Sequence, residues 1–110
     1  MPHFANAAAF IGQYSPKYIE ITKGVTSIGD NAFKGLQSLA RVYIPEGVTK
    51  IGNSAFNGCA ALDNVVIPAS VTEIKSLAFI GCSALTSIYF TGAEPPALQN
   101  ALQNDCTVYY

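Results

Sequence analysis

The segment Ile44-Pro45-Glu46-Gly47-Val48-Thr49-Lys50-Ile51-Gly52-Asn53-Ser54-Ala55-Phe56-Asn57-Gly58-Cys59-Ala60-Ala61-Leu62 returns, 23 residues on, as Ile67-Pro68-Ala69-Ser70-Val71-Thr72-Glu73-Ile74-Lys75-Ser76-Leu77-Ala78-Phe79-Ile80-Gly81-Cys82-Ser83-Ala84-Leu85. The same interval links Ile21, Ile44, Ile67 and Phe90, then Val25, Val48 and Val71, then Ile28, Ile51 and Ile74. Ala32-Phe33, Ala55-Phe56 and Ala78-Phe79 recur as pairs, each followed two places on by Gly35, Gly58 or Gly81. Leu39, Leu62 and Leu85 close the units, three residues before Val42, Val65 and Ile88. A period in this range marks a solenoid, because one unit cannot bury its own apolar stripe and stacked units make a continuous core.

The frame extends beyond the clear units. Ala9-Phe10-Ile11-Gly12 lies one period before Ala32-Phe33-Lys34-Gly35. Ala101-Leu102 takes the Ala-Phe position at the other end, and Val108 falls one period after Leu85. The organisation expected is a single domain, residues 1–110. It comprises a partial N-terminal coil (1–17), full repeats at about 18–39, 40–62 and 63–85, and a modified last coil (86–110) carrying Pro95-Pro96.

Within a unit, Arg41-Val42-Tyr43-Ile44 alternates polar and apolar residues, the pattern of a half-buried strand. Pro45 ends it, having no N–H for the ladder. Val48-Thr49-Lys50-Ile51 is β-branched and reads as a second short strand. Val48 and Ile51 are three apart, so a bend is needed to turn both inward. Asn53-Ser54 before Ala55-Phe56 predicts a cap opening a brief helical or 3₁₀ turn, with Gly58 at its exit. The fold expected is mostly β with short helical turns: a right-handed solenoid of four to five coils.

These motifs resemble the BspA-like leucine-rich repeat family, with its I-P-x-x-V-T-x-I-G-x-x-A-F-x-G-C-x-x-L signature, from about residue 9 to the end. Lys75 stands for the usual Gly, Leu36 for the usual Cys, and the last coil departs from the pattern. The resemblance implies a bacterial surface or secreted protein, and in some members an adhesin for host matrix proteins.

Composition narrows the function. The 110 residues are 50% hydrophobic and only 12% charged, with a formal charge of -1. That balance opposes disorder, and its six scattered Lys and Arg leave no basic footprint for nucleic acid. The longest apolar run, Ala7 to Ile11, falls far short of the roughly 20 residues of a membrane span. The first ten residues lack the pattern of a secretory signal, which fits either a cytoplasmic chain or a piece of a longer exported one.

Chemistry is sparse. His3 is the single histidine and falls in what reads as a mobile tail, so no triad is indicated. The seven acids occupy different repeat positions, so no acid/base pair forms. Glycines recur as coil corners rather than as a phosphate loop. No C-x-x-C or paired histidine offers a metal set, and no cofactor is expected. Cys59 and Cys82 stack about 5 Å apart along the ladder. Both point inward, poorly aligned for a bridge, and Leu36 shares their position; they read as buried free thiols. Cys106 is one place out of frame and reads as unpaired.

The outward strand columns are Tyr18, Arg41, Asn64, Ser87 and Glu20, Tyr43, Val66, Tyr89. Tyrosine and arginine are enriched at recognition hot spots, against the plainer reading that tyrosine simply suits a strand surface. The candidate ligand-binding residues are Tyr18, Glu20, Arg41, Tyr43, Asn64 and Tyr89, on a concave face that takes a protein partner. The column Thr26, Thr49, Thr72 reads as structural. An uncapped N-terminal coil exposes apolar layers, so Phe4, Phe10 and Ile11 are candidates for end-to-end self-association. A structural or self-assembling spacer is the alternative to a non-enzymatic recognition module.

Overall fold

The computed structural model describes residues 16–92, 96, 98, 101–102 and 106–109, together with the backbone of residues 3–4. Nine short strands are assigned: β1 (His3–Phe4), β2 (Tyr18–Glu20), β3 (Ser27–Ile28), β4 (Arg41–Tyr43), β5 (Lys50–Ile51), β6 (Asn64–Ile67), β7 (Glu73–Ile74), β8 (Ser87–Phe90) and β9 (Thr107–Tyr109). The chain coils into a solenoid of about four turns, with every strand pair parallel. One side carries β2-β4 and β6-β8-β9; the other carries β1-β3-β5-β7.

Burial explains the repeat. Val42, Val65 and Ile88 point inward from the first strand of their coils, and Arg41, Tyr43, Val66 and Tyr89 point out. Val48 and Ile51 are both fully buried. Val48 follows a turn at Glu46-Gly47 and lies outside the strand, which is only Lys50–Ile51, so strand alternation does not govern the pair. Gly47 sits there at φ 106°, a conformation that costs a residue without Cβ little.

Phe33, Phe56 and Phe79 form the centre of the core. Their rings stack at 5.2 Å between centroids, 13° from parallel for the first pair and 3° for the second. Each ring is shielded from solvent, so burial adds about 1.5–3 kcal/mol per side chain and each ring pair about 0.5–1.5 kcal/mol more.

The Ala-Phe segment is not the helical turn its sequence suggests; no helix is assigned among the described residues. Its backbone donors alternate. The N–H groups of Ser54, Phe56 and Gly58 bond to carbonyls of Ser76, Ala78 and Ile80 in the next coil, while those of Ala55, Asn57 and Cys59 bond three residues back to Gly52, Ser54 and Phe56. A helix requires successive donors to stay within their own segment. Here every second one belongs to a neighbour. The alternation places Asn31, Ser54 and Leu77 in the left-handed region, at φ 61°, 57° and 63°.

Both ends depart from the strict period. His3, expected in a free tail, lies with Phe4 in β1 as the edge of the second sheet, paired with Ser27 and Ile28 at an offset of 24 residues. Ala101 keeps the expected position: it is fully buried and accepts from the Phe79 N–H. Val108 does not. It pairs with Ile88, not one period after Leu85, because β9 joins β8 at an offset of 20 (Ser87↔Thr107, Tyr89↔Tyr109). Inward-outward alternation outweighs the count: the shorter coil keeps Val108 facing the core and Tyr109 outward. On the other side, Pro96 falls one period after Glu73 of β7, and a proline there has no N–H to extend the ladder.

Two substitutions test this account. Phe56→Ala, which removes the middle ring, should lower stability by about 4 kcal/mol, measured by urea unfolding. Leu77 is an exposed leucine in a left-handed conformation, so Leu77→Asn should raise stability by about 1 kcal/mol. An unchanged or lower midpoint would mean that position holds no backbone strain.

Candidate functional site

The strand positions that the core leaves unconstrained define the site. Tyr43, Val66, Tyr89 and Tyr109 follow one another across the coils as an exposed ridge, each 41–50% exposed. Tyr89 and Tyr109 stack at 4.8 Å between ring centroids. The parallel column is polar: Tyr18, Arg41, Asn64, Ser87 and Thr107. Asn64 Nδ2 donates to the Asp63 carboxylate at 3.0 Å.

The sheet that carries these columns is interrupted. β4 pairs with β2, and β6 with β8, but β4 and β6 lie side by side without hydrogen-bonded pairing. Over this interruption runs an open groove of about 340 Å³. Tyr18, Arg41, Tyr43 and Asn64, four of the predicted residues, border it together. The other two are elsewhere: Glu20 borders a neighbouring hollow with Tyr43 and Glu46, and Tyr89 stands beyond Val66 in the aromatic ridge. Phe10 and Ile11, proposed from sequence as an association surface, lie outside the described residues; Phe4 contributes its backbone to β1.

Sequence reasoning missed Tyr109, Val66 as part of the ridge, and Glu46, Pro68 and Thr91 on the groove. Tyr109 carried a signal: Thr107-Val108-Tyr109 repeats the polar-apolar-Tyr order of Ser87-Ile88-Tyr89. The groove carried none, since the interruption between β4 and β6 is a property of their pairing.

Other candidate groups belong to the scaffold. The Thr49 hydroxyl and N–H both donate to the Thr26 carbonyl, at 3.0 and 2.8 Å, and Thr72 repeats this onto Thr49. Cys59 and Cys82 are unbridged, and their thiols donate to the carbonyls of Phe33 and Phe56 at 3.2 and 3.1 Å. That position is therefore more than an apolar space: the thiol reaches a carbonyl in the preceding coil. Burial pushes the Cys59 thiol up to about 12 and Cys82 to about 11. Cys106 is raised by the same cause but is partly exposed. Among the described residues, no group of three or more His, Cys, Asp or Glu could hold a metal ion.

A parallel solenoid with a buried repeat and a variable outward strand face is a leucine-rich repeat scaffold, a class that presents surface for interaction. This chain belongs to the BspA-type leucine-rich repeat family, whose sequence profile matches residues 5–107 in six copies. It is similar in structure to a leucine-rich repeat protein from Eubacterium ventriosum (32% identity, TM-score 0.66, 71% of this chain and 21% of that one). It also resembles the leucine-rich repeat protein of T. pallidum (25% identity, TM-score 0.58, 98% and 66%). A leucine-rich cell surface protein of Faecalibacterium prausnitzii matches at 25% identity and TM-score 0.51, over 73% of this chain and 33% of that one. The chain thus spans between a fifth and two thirds of the length of these relatives. No curated protein is significantly similar.

The thiols yield a prediction. Only the thiolate attacks a disulfide reagent, and burial suppresses it at Cys59 and Cys82. At pH 8, Cys106, the one partly exposed thiol of the three, should react first in the native protein, with the other two released only in denaturant. Equal native reactivity of all three, followed by thiol-exchange absorbance, would show that the coils open readily.

Proposed function

We propose that this chain is a non-enzymatic protein-recognition segment of a bacterial surface or secreted repeat protein, holding its ligand on the concave face. The observation that carries this reading is the ridge of Tyr43, Val66, Tyr89 and Tyr109, exposed across the stacked coils. Tyrosine contributes a large amphipathic contact area with few torsions to freeze, which suits it to interface anchors. Adhesion to a host matrix protein is the use favoured by the family. A surface location is supported by the F. prausnitzii relative, described as a cell surface protein. No helix among the described residues is long and apolar enough to cross a membrane.

The test is binding of the chain to immobilised extracellular-matrix and plasma proteins, beside the double variant Tyr43→Ala/Tyr89→Ala. Saturable binding is expected, weakened at least roughly 10-fold in the variant, as for loss of hot-spot anchors, with an unchanged unfolding midpoint. If the folded chain binds nothing, or the variant binds equally well, the concave-face reading fails. Concentration-dependent self-association in light scattering would then favour an end-to-end assembly segment.

A further inference from the structure

We propose that the groove beside β4 takes an extended peptide carrying an acidic and a basic residue two positions apart, the acid on Arg41 and the base on Glu20 and Glu46. This rests on the concave-face reading and deepens it by naming the partner's chemistry. Arg41 is exposed, and among the described residues no ion pair or hydrogen bond occupies its side chain. Around it stand further donors, the phenols of Tyr18 and Tyr43 and the Asn64 amide. A guanidinium can only donate, and its fork matches a carboxylate.

The opposite sign lies further along the strands. Glu20, Lys23, Tyr43 and Glu46 border an adjoining hollow of about 390 Å³, so two carboxylates outweigh one ammonium. Tyr43 and Glu46 border both hollows, which therefore adjoin. One Glu46 oxygen accepts from the Ala69 N–H at 3.3 Å, and the Glu20 carboxylate has no partner among the described residues. Arg41 lies level with Tyr18, and Glu20 lies level with Tyr43. The positive and negative levels are therefore two residues apart along the strand, about 7 Å. An extended peptide turns every second side chain to the same side at that same spacing. A wholly acidic segment would meet Glu20 and Glu46, and a wholly basic one Arg41.

The backbone favours an extended occupant over a helical one. Arg41, Val42, Tyr43 and Ile44 all border the groove in succession. Val42 and Ile44 turn their side chains to the core, so the main chain of β4 itself faces the groove. No pairing is assigned between β4 and β6, but the two lie side by side, so an extended occupant would lie over the face of β4 and not between the two strands.

The experiment is selection of the full chain against an immobilised random heptapeptide library, with sequencing of the bound fraction. Peptides with Asp or Glu two positions from Lys or Arg should be enriched roughly fivefold per charged position, the scale of a solvent-exposed ion pair. Arg41→Ala should erase the preference for the acid and keep that for the base; Glu20→Gln/Glu46→Gln should do the reverse. Raised salt should weaken both. All three positions are exposed, and unfolding midpoints check that the variants remain folded. Enrichment that lacks the charge spacing but is lost in Tyr43→Ala/Tyr89→Ala overturns this inference and leaves the concave-face reading standing. Enrichment insensitive to both sets of variants overturns both, and no enrichment from folded protein overturns the inference.

Discussion

No coil in this molecule completes itself. The rings of Phe33, Phe56 and Phe79 stack on one another from coil to coil, and every second backbone donor of the Ala-Phe turn bonds to the following coil. The threonine hydroxyls and the cysteine thiols likewise reach carbonyls of the preceding coil. No buried side-chain nitrogen or oxygen among the described residues lacks a partner. Stacking is thus the condition under which each unit's apolar stripe leaves water and its polar backbone stays satisfied. Everything else in the structure is arranged around that spacing.

Such a scaffold separates two kinds of position. Inward residues must match from coil to coil, because a ring or a branched chain packs against its own copy. Outward residues of the concave strands meet only solvent and each other, and are free to differ. The column Glu20, Tyr43, Val66, Tyr89 illustrates this, while the buried Ile21, Ile44, Ile67, Phe90 hardly varies in kind. The proposed recognition uses the variable columns, and the proposed ligand chemistry follows from the charges that these columns carry.

The inward half of the repeat was legible because burial writes a strict period. Ile44, Val48, Ile51, Phe56 and Leu62 recur at the intervals the core demands, and all five are buried. The six predicted ligand-binding positions were legible as outward-facing for the same reason, since a strand alternates faces. The short turn was read as helical because Asn-Ser before Ala-Phe is ordinary capping chemistry. Local propensity cannot register that half of its donors are taken by another coil.

The amino-acid sequence by itself determined the solenoid, its spacing and the faces of its strands, since these follow from which residues must leave water. Tertiary structure alone decided the pairing. It drew His3 and Phe4 into an edge strand and set β9 at an offset of 20 residues, which brought Tyr109 against Tyr89. It also left β4 and β6 unbonded, opening the groove where Arg41 stands. Register between coils is a contest among hydrogen bonds, ring stacking and alternation across many residues, and no single segment contains its outcome.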